Sequence, residues 1–310
     1  MNKILTAGLI ITLLMMVAAF FGQFVAPHGL SEHVEVDYQI DENGDSVLLA
    51  PPYPPSASNP FGTDKYGYDL MAKLIAGGKY TIIATISVAV VRIVIGGAIG
   101  LLLGYLSKSK PSRADRLPIW NALNGIPTLI IVWMIMIGIS MNPEASPFKL
   151  ALILSVVAAL VGIPTVASTV KEKTIVLRDK QFVLSSKSIG ASHWTIIRRH
   201  LIPHLQESFL ILFVQEIVLI LGLFGQLAIF NIFVGGTLVY NNPWPEPPEY
   251  VSRTNEWSGL IGQALSNLVN HQWLLFIPLL VYTVFILGFH MISLGLESMF
   301  KRRFSKFSHI

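Results

Sequence analysis

The sequence predicts an all-α integral membrane protein with six transmembrane helices. Of its 310 residues, 53% are hydrophobic and only 13% are charged, whereas about a quarter of the residues of a soluble domain are charged. Several apolar runs are about 20 residues long, which is enough to cross a hydrocarbon layer of ~30 Å. Because these runs are continuous and do not alternate with polar residues, they exclude a transmembrane β-barrel.

The first apolar run extends from Ile4 to Phe24. A secretory signal peptide is the alternative interpretation, but its apolar core is only about 7–15 residues long and precedes a small-x-small cleavage site. This run is longer, and Ala18-Ala19-Phe20-Phe21 is a poor cleavage site. We therefore predict an uncleaved first span within an N-terminal segment, residues 1–26.

A polar segment, residues 27–79, follows the first span. Apolar residues alternate with polar ones before Asn43-Gly44, which is a favoured turn dipeptide of β-hairpins; they are Val34, Val36, Tyr38 and Ile40. The pattern predicts a small β-hairpin inserted after the first helix. Further along, apolar residues at helical spacing predict an amphipathic helix at the membrane surface: Leu70, Met71, Leu74 and Ile75.

Residues 80–299 form a core with five further predicted spans. These are Tyr80–Leu106, Leu117–Ser140, Leu150–Val170, Glu207–Tyr240 and Trp273–Met299. In the first of them, Gly96, Gly100 and Gly104 recur every four residues, so that another helix can approach closely. That helix could belong to this chain or to a partner. Pro127 is expected to kink the span that contains it.

The positive charges predict the orientation in the membrane. Lys3, four residues of 107–116, seven of 171–204 and four of the tail 300–310 account for 16 of the 22 lysines and arginines. With six spans, these segments all lie on one side, and positively charged loops mark the cytoplasm. We therefore expect both termini in the cytoplasm and the segments 27–79 and 241–270 outside.

The loop 171–204 is the longest basic segment between two apolar spans. Phe182, Val183 and Ile189 could form the apolar side of a short helix. Gly190 would end this helix in the left-handed conformation, and Ser192 could cap the next one. From composition alone, the segment could equally be a docking loop for another protein or a basic loop attracted to anionic lipid.

The candidate pore-lining or intramembrane polar residues are Arg92, Gln215, Glu216 and Gln226. Such residues are costly in lipid and should face protein or water. Arg92 and Glu216 both fall in the middle third of the membrane and could pair, or each could have another partner, including one in a second subunit. Gln215 and Gln226 are eleven residues apart and share a helix face. They could line a substrate path or only bond to neighbouring helices.

No enzymatic motif is present. Gly77-Gly78-Lys79-Tyr80 is the nearest approach to a P-loop, but it lacks the first glycine and the hydroxyl residue that holds Mg²⁺. Zinc-protease and serine-hydrolase motifs are absent, and without cysteine there is no thiolate metal site. We therefore expect neither catalysis nor a cofactor or resident metal, and no nucleic-acid partner.

The loop resembles the cytoplasmic signature of permease subunits of bacterial ABC importers of the dipeptide, oligopeptide and nickel class. That signature is Glu-Ala-Ala, three residues, Gly, and then a hydrophobic-x-hydrophobic-Pro element. Leu184-Ser185-Ser186 stand in the Glu-Ala-Ala place, and Gly190-Ala191-Ser192 and Arg199–Pro203 follow at the family spacing. Leu184 thus replaces the glutamate of the signature, and an apolar side chain stands where the family has an acid.

The resemblance covers essentially the whole chain. Phe61-Gly62-Thr63-Asp64 with Gly67-Tyr68-Asp69 looks like the element before the second span, although Tyr68 replaces an arginine. Ile126-Pro127-Thr128-Leu129 resembles the proline element of the third span. The last span is similar in Trp273, Pro278, Gly288 and Leu294-Gly295-Leu296.

The resemblance implies the type I ABC-importer permease fold in a bacterial plasma membrane. It implies a coupling helix ending near Gly190 and contacts to the ATPase from these residues: Leu184, Ser185, Ser186, Lys187, Gly190, Ala191, Ser192 and Pro203. The implied partners are a second permease, two cytoplasmic ATP-binding subunits, an extracytoplasmic substrate-binding lipoprotein and membrane lipid. The implied cargo is a peptide, or else nickel or a metal chelate.

Two other functions remain open at this point. An ion-driven secondary transporter often carries inverted repeats, and no clear repeat is visible here. A membrane scaffold that only presents its outer loops to a partner is the other alternative. Purification distinguishes the three functions, because only an importer subunit is expected to co-purify with a second permease and ATPases.

Overall fold

The computed structural model of the chain describes residues 2–24, 28–34, 36–40, 46–107 and 126–307. Its helices are α1 (Lys3–Phe21), α2 (Leu70–Val91), α3 (Gly97–Leu106), α4 (Thr128–Ser140), α5 (Pro147–Arg178), α6 (Gln181–Ser188), α7 (His193–Ile196), α8 (Ile202–Ile229), α9 (Trp257–Ala264) and α10 (Trp273–Phe307). Single π-helical turns, Arg92–Gly96 and Ile197–Leu201, join α2 to α3 and α7 to α8.

Five helical stretches of the described residues are long and apolar enough to cross a membrane: Lys3–Phe24, Leu70–Leu106, Pro147–Arg178, His193–Ile229 and Trp273–Lys301. The third predicted span is described only from residue 126 onward, and its helix α4 has 13 residues, or ~20 Å. The count of six spans therefore stays a prediction. Pro127 precedes α4 and does not kink it, since a residue without an N–H fits best at a helix start.

Several predicted boundaries differ from the structure. Helix α5 continues to Arg178, beyond the predicted end at Val170, so the first residues of the predicted loop 171–204 are helical. The expected surface helix at Leu70 is the first part of the continuous helix α2, with Asp69 as its N-cap. The Asp69 carboxylate accepts hydrogen bonds from the amides of Met71 and Ala72, each at 3.3 Å. Leu70 and Leu74 are buried against the core, so tertiary packing and not a membrane surface covers their apolar face.

The predicted fifth span, Glu207–Tyr240, is too long. Helix α8 ends at Ile229, because Asn231, Gly235 and Gly236 adopt positive φ angles that a helix cannot continue through. Residues Thr237–Tyr240 then form strand β3, which pairs antiparallel with β4 (Glu249–Ser252). The following helix α9 was not predicted from the sequence. Seven of its eight residues are buried, so it belongs to the core.

Two further strands lie between α1 and α2. Strands β1 (Asp37–Ile40) and β2 (Ser46–Leu49) pair antiparallel, with Asp37 opposite Leu49 and Ile40 opposite Ser46. The predicted turn at Asn43-Gly44 lies outside the described residues. We call the end of the bundle that carries β3 and β4 the hairpin end, and the opposite end the α6 end.

The core has two parts. The larger part fills the space between α2, α5, α8, α9 and α10, and its most buried side chains include Leu154, Ile220, Phe224 and Phe285. The smaller part lies at the α6 end, where Leu101, Val166, Val183, Ile196 and Leu201 pack together. This second cluster fixes α6 and α7 to the ends of α3, α5 and α8.

Helices α3 and α5 pack closely along Gly100 and Gly104 of α3, and the contact continues at Gly96 in the π-helical turn before it. A Cβ atom on Gly104 would lie 2.7 Å from the Lys171 carbonyl oxygen, and one on Gly100 would overlap the Ala167 carbonyl. One on Gly96 would lie 3.0 Å from the Ile163 carbonyl oxygen. The predicted close approach of a second helix is confirmed, and that helix is α5 of the same chain.

Helix α1 packs along α10 through small residues. A Cβ atom on Gly8 would lie 2.7 Å from the Gly288 carbonyl oxygen, and Asn2 donates a hydrogen bond to the Gly295 carbonyl at 2.9 Å. The start of α1 therefore lies beside the last turns of α10.

Candidate functional site: the α6 loop and the intramembrane ion pair

Helix α6 ends in a tight reversal of the chain. The amides of Gly190 and Ala191 donate to the carbonyls of Lys187 and Ser186, both at 3.1 Å. Gly190 has φ +87°, which confirms the left-handed glycine predicted from the sequence. A Cβ atom there would meet nothing within 4 Å, so glycine is required for the backbone conformation and not for space.

Helix α7 begins directly after this reversal. The Ser192 hydroxyl accepts a hydrogen bond from the Thr195 amide at 3.2 Å, which confirms the predicted N-cap. Pro203 lies at the start of α8, just after the π-helical turn Ile197–Leu201. The loop thus has one defined path from α6 to α8.

One side of α6 is attached to the bundle. Val183 is 2% exposed in the second core cluster, and the Phe182 ring stacks on the His204 ring with centroids 4.7 Å apart. Ser186 Oγ lies 3.1 Å from His200 Nε2. The expected apolar side is wrong for Ile189, which is 86% exposed, because α6 ends at Ser188 and the chain turns away.

The two histidines that hold α6 were missed in the sequence analysis. His200 and His204 are four residues apart, which places them on one helix face. Two histidines at this spacing could have indicated a ring contact with an aromatic residue of a neighbouring helix, which here is Phe182. This signal is weak by itself, because nothing in the sequence says which way α6 folds back.

The other side of α6 is exposed. Leu184 is 48% exposed, and Ser185, Lys187 and Ser188 are exposed as well. The residue in the place of the family's glutamate is therefore a leucine on the surface. Within the described residues, this side of α6 forms a small mixed apolar and polar face.

Arg92 and Glu216 meet inside the bundle. Arg92 Nη1 lies 2.8 Å from Glu216 Oε2, and Arg92 Nη2 donates to the Ala158 carbonyl at 2.8 Å. The two side chains are 6% and 7% exposed. A Cβ atom on Gly162 would overlap the guanidinium, so this glycine makes room for it.

The direct pair, which the sequence left open, is thus formed. It joins the α2–α3 junction to α5 and α8 and is enclosed by this one subunit. A buried ion pair persists only with good geometry and further hydrogen bonds, and the Ala158 carbonyl supplies those. Its burial favours a role in holding three helices together over direct contact with a substrate.

Gln215 and Gln226 have different surroundings despite their common helix face. Gln215 Nε2 donates to Glu297 Oε1 at 3.0 Å, and Glu297 lies 3.8 Å from Lys301. Gln226 is exposed. Glu297 was missed in the sequence analysis, although an acid four residues before a lysine near the end of an apolar run could have indicated it.

The Phe61–Asp69 element is the base of the hairpin end. Asp64 Oδ1 accepts hydrogen bonds from the amides of Tyr66 and Tyr68, both at 2.9 Å, and Asp64 Oδ2 pairs with Lys73. Tyr66 donates to Glu249 at 3.2 Å, and Lys65 also pairs with Glu249. Burial lowers the pKa of Lys65, although the nearby Asp64 opposes the effect.

A buried carboxylate, also missed in the sequence analysis, holds the start of α9. Glu256 is 0% exposed and accepts hydrogen bonds from the Val234 amide at 3.1 Å and the Ser258 hydroxyl at 2.6 Å. Burial raises the pKa of this carboxyl, although its hydrogen bonds oppose the effect. Glu256 thereby connects the loop after α8 to α9.

Comparison with known proteins decides the family. A family model described as "Binding-protein-dependent transport system inner membrane component" matches residues 96–306, which is more than half of the chain. The chain belongs to this family. The resemblance noted from the α6 loop is therefore confirmed, and the chain is a permease subunit of an ABC importer that forms part of its membrane pore.

Similar curated proteins are named as transport system permease proteins. The chain is 25% identical over 293 residues to the glutathione transport system permease protein GsiD of Pectobacterium atrosepticum, covering 94% of this chain and 84% of the relative. It is 25% identical over 299 residues to the dipeptide transport system permease protein DppC of Bacillus subtilis, with 96% and 81% covered. For GsiD of Escherichia coli O1:K1, the identity is 26% over 295 residues, with 94% and 84% covered.

Proposed function

We propose that α6 is the coupling helix through which a separate ATP-hydrolysing subunit drives this permease. The observation that carries the proposal is the two-sided character of α6. Val183 and Phe182 attach the helix firmly to the bundle, while Leu184 and its neighbours remain exposed. A helix that docks in the groove of a partner needs both features, a rigid attachment and a free face.

The coupling residues have two roles in this proposal. Leu184, Ser185 and Lys187 would contact the ATPase, with Leu184 supplying an apolar contact in the place of the family's acid. The remaining residues would set the shape of the loop: Ser186, Gly190, Ala191, Ser192 and Pro203. The hydrogen bond of Ser186 to His200 and the φ angle of Gly190 support this division.

The proposed assembly contains a second permease, two ATP-binding subunits and a substrate-binding lipoprotein. With α6 in the cytoplasm, the hairpin end faces outward and would receive the lipoprotein. Trp244, 94% exposed in the β3–β4 connection, supports an aromatic contact surface there. Exposed apolar residues of α4, such as Met134 at 65%, suit lipid or the second permease.

The proposed cargo is a small peptide. The names of the relatives specify glutathione and dipeptides, and both kinds of molecule carry a peptide bond and ionised ends. Nickel or a metal chelate, which the resemblance also allowed, has no support in these names.

A pair of substitutions at Gly190 tests the coupling role. A left-handed conformation costs an ordinary residue about 1–2 kcal/mol, whereas asparagine tolerates it. We expect Gly190→Leu to abolish the stimulation of ATP hydrolysis by the binding protein in the purified importer, while Gly190→Asn retains it. Both variants should still co-purify with the second permease.

Full stimulation in Gly190→Leu would exclude this role for the loop. Co-purification is the parallel test, because an importer subunit must isolate with a second permease and ATPases. If the chain is purified alone and still mediates uptake into liposomes, the proposed assembly is wrong.

A further inference from the structure

Arg178 connects the base of α6 to the end of α3. It is the last residue of α5, and α6 begins three residues later at Gln181. Its Nη1 atom donates to the carbonyls of Gly104 at 3.3 Å and Tyr105 at 3.4 Å, and also to the carbonyl of Ser107. Its Nε atom donates to Asp179 at 3.1 Å. The side chain is 11% exposed.

These contacts supply hydrogen-bond donors to the carbonyl groups at the C-terminal end of α3. The last carbonyls of α3 have no partner within their own helix, and a cation near a helix C-terminus is also favoured by the helix dipole. Hydrogen bonds from an ionised donor are stronger than those between neutral groups. Arg178 is therefore a firm link between two segments more than 70 residues apart in the sequence.

The link continues along the whole contact of α3 with α5. Gly104, Gly100 and Gly96 bring the two helices into backbone contact, and Arg92 then donates to the Ala158 carbonyl of α5. Closely packed elements transmit displacement because they cannot deform continuously. Helices α3 and α5 are thus joined from the base of α6 to the Arg92–Glu216 pair.

We propose that Arg178 is a positioning residue that makes α3 move together with α6. In this way, a displacement of α6 reaches the middle of the bundle. Arg178 touches no substrate and acts only through the backbone of α3. The inference rests on the proposed function, because it takes α6 as the helix that the ATPase displaces.

Spin labels on introduced cysteines test the proposal, since the chain has no cysteine of its own. Labels at Leu106 and Ile189, which are 73% and 86% exposed, report the distance from α3 to the α6 loop. Labels at Ile189 and Val269 report displacement of the loop relative to the hairpin end. Both distances are measured in the assembled importer, without nucleotide and after trapping with ATP and vanadate.

We expect the Ile189–Val269 distance to change on trapping and the Leu106–Ile189 distance to stay constant. In Arg178→Gln, the distribution of Leu106–Ile189 distances should become broader and should change with the nucleotide state. The stimulation of ATP hydrolysis by the binding protein should fall at least about fivefold, because the amide lacks the charge of the guanidinium. Arg178→Lys should show a smaller loss, since it keeps the charge but not the fork of donors.

Arg198→Gln is the matched control, because Arg198 is an exposed arginine at the same end of the bundle. It should behave as the native chain in both measurements. A Leu106–Ile189 distance that changes in the native importer overturns the inference, whether or not the Arg178 variants assemble. So does an Arg178→Gln importer that matches the native one.

The inference and the proposed function fail in different ways. An Ile189–Val269 distance that stays fixed on trapping would mean that the ATPase does not displace α6, and both would then fail. If that distance changes while Arg178→Gln has no effect, only the role of Arg178 is wrong.

Discussion

At the scale of single residues, the Arg92–Glu216 pair shows which contacts a buried charge requires. Taking two ions out of water costs several kcal/mol each, and their attraction offsets this only with good geometry and further hydrogen bonds. Both conditions hold here, because the guanidinium bonds to Glu216 at 2.8 Å and to the Ala158 carbonyl at 2.8 Å. Removal of one charge alone leaves the other buried and unpaired.

We expect Arg92→Met to destabilise the purified chain by about 3–5 kcal/mol. The double variant Arg92→Met with Glu216→Leu should recover most of this loss, because neither charge is then buried. Thermal unfolding in detergent measures the four chains of the double-mutant cycle. Additive effects of the two substitutions would show that the pair is not energetically coupled.

Glu256 is predicted to make stability depend on pH. Its pKa in the folded chain is raised above the ordinary value of 4.5, so the folded state binds more protons than the unfolded state above that value. This contribution to stability is complete below the ordinary pKa and is lost as the pH rises through the raised pKa.

The variant Glu256→Gln should remove that dependence, because an amide fits the same site without titrating. The difference between its melting temperature and that of the native chain should grow in favour of the variant as the pH is raised above the ordinary pKa of 4.5. A difference that stays constant with pH would contradict the raised pKa. The Val234 amide can still donate to the amide oxygen, whereas the Ser258 hydroxyl loses its acceptor oxygen. Because that lost bond does not titrate, only the pH dependence of the difference reports the charge of Glu256.

At the scale of elements, the α3–α5 contact depends on the absence of side chains. A Cβ atom on Gly100 would overlap the Ala167 carbonyl, and overpacking of this kind typically costs about 1–3 kcal/mol. We expect Gly100→Val to lower the melting temperature of the purified chain. The predicted cause is separation of the two helices.

Gly222→Ala is the control for this experiment. A Cβ atom on Gly222, in the middle of α8, would meet nothing within 4 Å. Alanine is about 0.5–1 kcal/mol better than glycine inside a helix, so this variant should be equally or more stable. Equal losses in both variants would mean that the close approach of α3 and α5 has no special role.

At the scale of the whole molecule, the distribution of positive charges between the two ends of the bundle predicts the orientation in the membrane. The basic α6 loop should face the cytoplasm, and the hairpin end should face outward. A cysteine in place of Ser188 should therefore be inaccessible to a membrane-impermeant maleimide in intact cells, while one in place of Trp244 should be labelled. Permeabilised cells provide the control, since both positions are exposed and should then react.

The reverse labelling pattern would invert the proposed topology and remove the coupling role of α6. Labelling at both positions in intact cells would indicate leaky cells, which a cytoplasmic marker protein detects. The absence of native cysteine means that no background substitution is needed.

Features that depend on neighbours in the chain were predictable. The left-handed Gly190 and the Ser192 cap follow from local backbone chemistry, and both are present. Helix ends were less predictable, because Leu70 begins a long helix and Tyr240 ends a strand. In both places, packing of distant segments decides, and an apolar run looks the same whether lipid or protein covers it.

The sequence by itself determined the membrane class, the basic loop and the family resemblance, because these depend on residue types and their spacing along the chain. Only the tertiary structure decided that Arg92 contacts Glu216, that Arg178 contacts the end of α3, and that α9 is buried. The physical reason is that a charged group in a helix must have a partner, but its position along the chain does not specify which helix supplies it. That choice is made when the helices pack.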